Sequence, residues 1–262
     1  MRLDHQHLHH FAHSLMDAGH ALVPISPFTD EVPDMEITDS YEIASDIIGH
    51  KISDGRKMAG FKVGVTTAGA MKAFGMDGPA YGVILDDMTV RDGGRVKMSK
   101  LIQPKIEAEI AFRMKSPLQG PGVDAAQVIA ATDYVFPALE IIDCRFESWR
   151  VREQDLIADN TGAALVVLGN TRLSPADIDL SAEEAVMQID GVETGRGIGA
   201  EVLGNPAKAI AWLANKLGEQ GNGIAAGQFV IPGSMVAPPV VKAGNSVAAA
   251  YSNLGVVTVN FI

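Results

Sequence analysis

One cysteine in 262 residues, Cys144, leaves no partner for an intramolecular disulfide and no thiolate set for zinc. Histidine is absent after His50; the seven stand at positions 5, 7, 9, 10, 13, 20 and 50. A Ser-His-Asp or Cys-His site in the body of the chain would have to borrow its base from an N-terminal segment. A His-rich zinc site there is excluded. Basic residues are also scarce, 21 Lys and Arg against 32 Asp and Glu, for a formal net charge of −11. That balance argues against nucleic acid or an anionic membrane as the main partner, because phosphate binding needs a basic surface. No apolar run approaches the roughly 18 residues that span a bilayer, and the opening MRLDHQHLHH has no apolar centre of a secretion signal. A soluble, cytoplasmic protein is expected. Its chemistry must rest on carboxylates, lysine, tyrosine, hydroxyls or a metal held by oxygen.

What is present reads as globular, with 47% hydrophobic and 20% charged residues. No repeat or long linker divides the chain, so residues 1–262 are expected to form one domain, helical over 1–60 and β-rich over 61–262. Leu8, Phe11, Ala12, Leu15 and Met16 make one apolar helix face. His9 and His13 project from its other side at i, i+4; a metal pair is conceivable there, but a solvated face is the reading adopted. Asp39-Ser40 reads as the N-cap of a second helix carrying Tyr41, Ala44, Ile47 and Ile48. Alternation or apolar runs predict strands at 61–65, 81–85, 106–112, 134–142, 163–168, 185–190, 228–231, 246–251 and 256–261. A small helix is expected around 70–74. Asn205 and Pro206 open another, with Ile210, Leu213, Ala214 and Leu217 as its stripe. Many strands with few helices between them predict an α+β fold with a mixed, closed β-structure.

The chemistry concentrates in Ile106-Glu107-Ala108-Glu109-Ile110-Ala111-Phe112. Strand alternation puts Glu107 and Glu109 on one face, their Cβ atoms about 7 Å apart. Glu140 lies in Tyr134–Ile142, otherwise apolar except for Tyr134, and a buried unpaired carboxylate costs several kcal/mol. Two readings stand. A divalent cation can sit between the three acids, Mg²⁺ or Mn²⁺ rather than zinc since all donors are oxygen. Alternatively Lys105 or Arg113 pairs with Glu107 or Glu109, and Arg145 with Glu140. Lys62, in Gly60-Phe61-Lys62-Val63-Gly64, is the cation to place near such a site, its glycines permitting close backbone approach. Asp86 and Asp87 close an apolar strand, where they are candidate acids or turn caps. Gly195-Arg196-Gly197-Ile198-Gly199 has the wrong spacing for a dinucleotide loop and reads as a glycine-rich turn. Cys144 reads as structural or inert.

Taken together, Gly60–Thr66, Tyr81–Asp87, Glu107-Ala108-Glu109, Pro137-Ala138-Leu139-Glu140-Ile141 and Ala158-Asp159-Asn160 resemble the hydratase/decarboxylase family of catechol meta-cleavage pathways. This is a branch of the fumarylacetoacetate-hydrolase-like superfamily, and the resemblance runs in order from about residue 40 to the C-terminal strand. It implies a mixed β-roll, like the C-terminal domain of fumarylacetoacetase, and a Mg²⁺ or Mn²⁺ site at Glu107, Glu109 and Glu140. It further implies a 2-oxo or 2-hydroxy-dienoate substrate held by Lys62, Asn160 and Thr161, with proton transfer by Lys62. A homo-oligomer is expected, and association with another pathway enzyme.

The implied reaction is hydration of a 2-hydroxy-2,4-dienoate to a 4-hydroxy-2-oxo acid in aromatic catabolism. Leu101–Lys105, Gly120–Val123, Trp149 and Ala211–Asn215 resemble hydratases most. The alternative is decarboxylation of a 2-oxo-3-enedioate, as in 4-oxalocrotonate decarboxylases. Two departures stand out: hydratases commonly carry Asp at the position of Ala80, and most members read Asp-Asn-Ala-Ser where this chain has Asp159-Asn160-Thr161-Gly162. Asp86 or Asp87 is the expected substitute for the missing acid. A catalytically silent subunit that binds an enzyme partner is the competing reading from another class.

Overall fold

Asp4 accepts a hydrogen bond from the His7 backbone N–H at 2.9 Å and so opens α1 (His5–Ala21). The predicted stripe of Leu8, Phe11, Ala12 and Leu15 is buried. It meets α2 (Phe28–Glu31) through Phe11 stacked on Phe28, ring centres 4.0 Å apart, and α3 (Ile37–Ser53) through Ile43 and Ile47. Asp39 is not the cap of α3: the helix starts two residues earlier, and Asp39 lies fully buried in its first turn. Its Oδ2 accepts from Leu3 N at 3.0 Å and Glu36 N at 3.4 Å, so a contact with the start of the chain draws the carboxylate inward. The computed structural model describes residues 2–262, and among these no helix is long and apolar enough to cross a membrane.

The chain then alternates between two sheets. It runs through β1 (Met58–Gly64), α4 (Ala68–Phe74), β2 (Ala80–Leu85), β3 (Thr89–Arg91), β4 (Gly94–Val96), β5 (Lys105–Met114), α5 (Ala125–Ala131), β6 (Thr132–Ile142), α6 (Glu153–Ala158) and β7 (Ala163–Leu168). It continues with β8 (Glu184–Ile189), β9 (Val192–Ile198), α7 (Pro206–Gly218), β10 (Phe229–Ile231), β11 (Ser246–Tyr251) and β12 (Gly255–Phe261). The larger sheet has the order β2-β1-β10-β5-β6-β7-β3 and the smaller β4-β12-β11-β8-β9. Both are mixed, with parallel pairs β1/β10, β3/β7 and β4/β12 among antiparallel ones. The apolar stripe of α7 and the inner faces of both sheets form the main core. Asn205 caps α7 as predicted, accepting from Ala207 N at 2.9 Å.

The glycine-rich stretch read as a turn is β9. Gly197 can have no side chain there, because a Cβ would lie 1.8 Å from the Met235 carbonyl oxygen. Tyr251, at the end of β11, ties the sheets together: its hydroxyl lies 2.8 Å from the Glu109 carbonyl oxygen and 3.0 Å from that of Ala138, register partners on β5 and β6. Replacing it in Tyr251→Phe should lower stability by about 1–2 kcal/mol, the worth of a buried hydrogen bond whose acceptors lose their donor. Urea unfolding would show this as a lower midpoint at unchanged slope; an unchanged midpoint would show the hydroxyl to be dispensable.

Candidate metal and substrate site

Glu107 and Glu140 sit directly opposite each other in the β5/β6 ladder, and Glu109 is opposite Ala138. Directly opposed like charges destabilise a sheet, and these are not at a solvated margin: Glu109 and Glu140 are fully buried and Glu107 half-buried. One carboxylate oxygen from each of the three lies within 4.8 Å of the others. Register and alternation place Lys62 of β1 and Ala80 of β2 on this same face of the sheet.

Lys62 can reach the acids because of where β10 stops. β10 lies between β1 and β5 and ends at Ile231; Pro232 follows, which cannot donate to a ladder, and then Gly233 at φ +122°. A Cβ on Gly233 would collide with Thr66 Oγ1 at 1.9 Å. In that conformation its N–H donates to Glu109 Oε2 at 2.6 Å. Past the end of β10, Lys62 Nζ lies 3.0 Å from Glu140 Oε2 and donates to the Thr161 carbonyl at 3.1 Å. Gly60 and Gly64 permit this approach as expected: a Cβ on Gly60 would meet the Phe229 carbonyl oxygen at 1.9 Å, and one on Gly64 the Thr161 methyl at 2.8 Å.

The electrostatics are unbalanced. Burial, with Glu140 adding repulsion against the pull of Lys62, pushes Glu107 up to about 8. Burial and the charges of Glu140 and Glu107 raise Glu109 well above the ordinary carboxylate range. Burial opposes the Lys62 charge, but the attraction of Glu140, Glu107 and Glu109 outweighs it and raises the ammonium above its usual value. One cation thus faces three acids, and Glu109 Oε1 and Glu140 Oε1 are buried with no hydrogen-bond partner. A buried oxygen left unpaired is costly. An all-oxygen donor set with orphaned lone pairs fits a hard divalent cation.

The cations of the competing reading are engaged elsewhere. Arg145 pairs with Asp159, Arg113 lies over the Phe229 ring at 5.3 Å, and the Lys105 ammonium sits 4.5 Å above Trp149. Asp86 and Asp87 are not brought to the carboxylates: Asp86 Oδ1 accepts from Lys57 N at 3.0 Å, and Asp87 pairs with Arg56 at 2.6 Å, both exposed at the far end of β1 and β2. They cap a turn, the role that adjacent acids after a strand often take. Asn160 and Thr161 stand beside Lys62, but their side chains are engaged by β2. Asn160 accepts from Val83 N at 2.8 Å and donates to Val83 O at 2.9 Å, while Thr161 Oγ1 donates to Tyr81 O at 2.7 Å. Both residues have left-handed backbones, φ 52° and 54°, which aims the Thr161 carbonyl at Lys62. Cys144 is buried, and burial together with nearby Asp159 pushes its thiol up to about 12, so it is inert. The residues missed in the sequence are Gly233, whose Ile231-Pro232-Gly233 turn signal was available, and Tyr251, for which there was none.

No protein-family model matches the chain. Among curated proteins, it is 40% identical over 238 residues to 4-oxalocrotonate decarboxylase of Pseudomonas sp. (strain CF600), covering 91% of this chain and 90% of that protein. It is 36% identical over 249 residues to 2-hydroxyhexa-2,4-dienoate hydratase of Comamonas testosteroni, covering 94% of each. The solved structure of 4-oxalocrotonate decarboxylase from Pseudomonas putida G7, complexed with magnesium and adipate, superposes with a TM-score of 0.97 at 37% identity over 99% of both chains. Fumarylpyruvate hydrolase from Pseudomonas aeruginosa, at 15% identity and a TM-score of 0.60 over 77% of this chain and 88% of that one, shares the fold. The α+β class expected from the strand pattern is therefore the observed one.

Removing one carboxylate charge tests the site. Glu140→Gln should keep the fold and weaken Mn²⁺ binding by an order of magnitude or more, since hard-cation affinity follows ligand charge. Calorimetric titration measures it, and unchanged affinity would refute the ligand assignment.

Proposed function

From a chain that belongs to the hydratase/decarboxylase family of catechol meta-cleavage pathways, we propose a lyase that works on 2-oxo or 2-hydroxy-dienoates with Mg²⁺ or Mn²⁺. The observation that carries this is the trio Glu107, Glu109 and Glu140, clustered and mutually repelling, with Glu109 and Glu140 buried and bearing orphaned oxygens. These three residues hold the cation. Bound there, the cation supplies a Lewis acid toward the carboxylate and C2 oxygen of a 2-oxo acid.

The chain's own groups do the rest. Lys62, held cationic by its acidic neighbours, has three donors, two of them directed to Glu140 and Thr161. The third is left to hold a substrate carboxylate or to give a proton from Nζ. Asn160 and Thr161 act by positioning: they fix β2 and present the carbonyl that orients Lys62. The proposed reaction is water addition to a 2-hydroxy-2,4-dienoate: hydroxyl adds at C4 and a proton at C5, and the C2 enol becomes the 2-oxo group as its O–H proton is lost and C3 takes up a proton.

A second reading, loss of CO₂ from a 2-oxo-3-enedioate, is favoured by one observation. Ala80, on the face that bears Lys62, is fully buried among Val65, Met76, Leu156 and Ile157. An apolar site there offers no acid to deliver water, and decarboxylation needs none, only an acceptor for the electron pair released from the C–CO₂⁻ bond.

The same proposal includes a cytoplasmic, homo-oligomeric protein of one domain. Support for self-association comes from Val192 and Ile198 on the edge strand β9 and Val256 at the start of β12, apolar yet exposed. Support for one domain comes from Phe146 and Ala158 of the β-rich part packing into the N-terminal helices.

Three experiments test the chemistry. Lys62→Met should lose on the order of 10²-fold in turnover with metal affinity retained, the lower end of acid–base effects. Wild-type turnover would reduce Lys62 to a structural strand residue. Incubation with a hydroxypentadienoate and with an oxo-enedioate, followed by CO₂ trapping and product identification, separates hydration from decarboxylation. Ala80→Asp should lower kcat/KM for the dianionic substrate more than for the pentadienoate, because a carboxylate there repels a second substrate charge. Ala80→Asn controls for size, and an unchanged ratio in Ala80→Asp overturns this reading of position 80.

A further inference from the structure

The sequence pattern singled out His9 and His13 and then treated them as a solvated face. The fold adds a third histidine that spacing along one helix could not supply. α1 presents His9 and His13 at i, i+4, and α3 presents Asp46 and His50 at i, i+4; the two helices pack through Leu8, Phe11, Ile43 and Ile47. Ring centres are 4.4 Å apart for His9 and His13, 5.3 Å for His13 and His50, and 5.8 Å for His9 and His50. One ligand nitrogen from each lies within 4.8 Å of the others.

The detailed geometry is that of a metal-binding triad. His9 Nδ1 lies 2.9 Å from Asp46 Oδ2. A carboxylate there accepts a hydrogen bond from Nδ1–H and favours the tautomer with its lone pair on Nε2, the usual outer support of a ligating histidine. His9 Nε2 then faces His13 Nε2 at 3.2 Å, close to the roughly 3.3 Å between two nitrogens on a tetrahedral ion at about 2.0–2.1 Å. His50 Nε2 is shielded from solvent without a hydrogen-bond partner and lies 3.6 Å from Asp46 Oδ1. His9 Nε2 and His13 Nε2 satisfy each other when His13 carries its proton on Nε2, whereas His50 Nε2 has no hydrogen-bond partner. A cation satisfies all three.

We propose that His9, His13 and His50, backed by Asp46, form a second metal site, for a borderline transition-metal ion of the Zn²⁺ class, which pins α1 to α3. Neutral imidazoles select Zn²⁺, Ni²⁺ or Cu²⁺, whereas the all-carboxylate trio selects Mg²⁺ or Mn²⁺, so ligand chemistry sorts two metals onto one chain. His9 and His13 are exposed and His50 is partly so, so a fourth coordination position on the solvent side is open to water. The other N-terminal histidines are not part of it; His7 is turned to Asp4, at 2.7 Å.

Zinc titration of the full chain in excess Mg²⁺, which occupies the glutamates, is the test. One Zn²⁺ per chain is expected, weakened tenfold or more in His13→Gln and in His50→Gln but not in His10→Gln. Zn²⁺ should also raise the melting temperature of the wild type and not that of His50→Gln. Co²⁺ should give the visible bands of a tetrahedral nitrogen site. Because these side chains are at the surface, metal-free melting of each variant should match wild type, which separates ligand loss from misfolding. Absence of saturable Zn²⁺ binding under Mg²⁺, binding indifferent to both substitutions, or binding lost only in Glu140→Gln would overturn the proposal.

Discussion

Three acids that share a buried sheet face repel one another, and much of the surrounding structure answers that repulsion. Solvent cannot screen the charges, so protonation and a single ammonium are what the protein itself supplies. Lys62 is placed for this by several unrelated devices: two glycines that let its strand press on its neighbours, a β10 that stops short, and a left-handed segment that offers a carbonyl to Nζ. None of these makes sense as packing alone. Each costs conformational freedom or a ladder hydrogen bond, and each bears on the placing of Lys62.

Buried acids are common in this chain, and their partners tell the structural ones apart. Asp155 accepts from Thr29 N, Thr29 Oγ1 and Arg152 N, and so ties α2 to the start of α6. Asp143 takes the N–H groups of Ile102 and Gln103, and Glu183 those of Asn253 and Leu254. In each, the carboxylate organises a loop by replacing water around backbone donors. Glu109 has one such donor, from Gly233, and its other oxygen has none. Asp39 Oδ1 is likewise buried without a hydrogen-bond partner, so what sets Glu109 and Glu140 apart is that unpartnered oxygens and the clustering with Glu107 occur together.

Most of the larger sheet could be read from alternation, because β1, β2, β5 and β6 each carry five or more residues with a clear apolar pattern. The three-residue β3 and β4 carry no continuous apolar run and are too short to show alternation, and β9 is exposed and glycine-bearing, so its strand character comes wholly from pairing with β8. The short α5 and α6 escaped for the same reason of length. The metal-ligand candidates were legible since two glutamates at i, i+2 amid Ile and Phe contradict a solvated strand. The misassignment of Asp86 and Asp87 came from proximity in sequence: strand ends are frequent sites of acids, but here the relevant end of β2 is the other one, near Ala80. The bonds of Asn160 and Thr161 to β2 could not be read in advance, since a side chain's partners across the fold leave no trace in its neighbours along the chain.

That pairing of Asn160 and Thr161 with β2 has a consequence for behaviour in a crowded cell. β2 is the outermost strand of its sheet, and the backbone groups of Tyr81 and Val83 that turn away from β1 form an open template on which another chain's strand can add. The Asn160 amide imitates a strand residue, donating and accepting at Val83, while the Thr161 hydroxyl covers Tyr81. The segment that orients the lysine therefore also closes the sheet against edge-to-edge association. Edge protection and the placing of the Lys62 ammonium share one short stretch of chain, so damage there uncovers a strand edge as well as freeing the lysine.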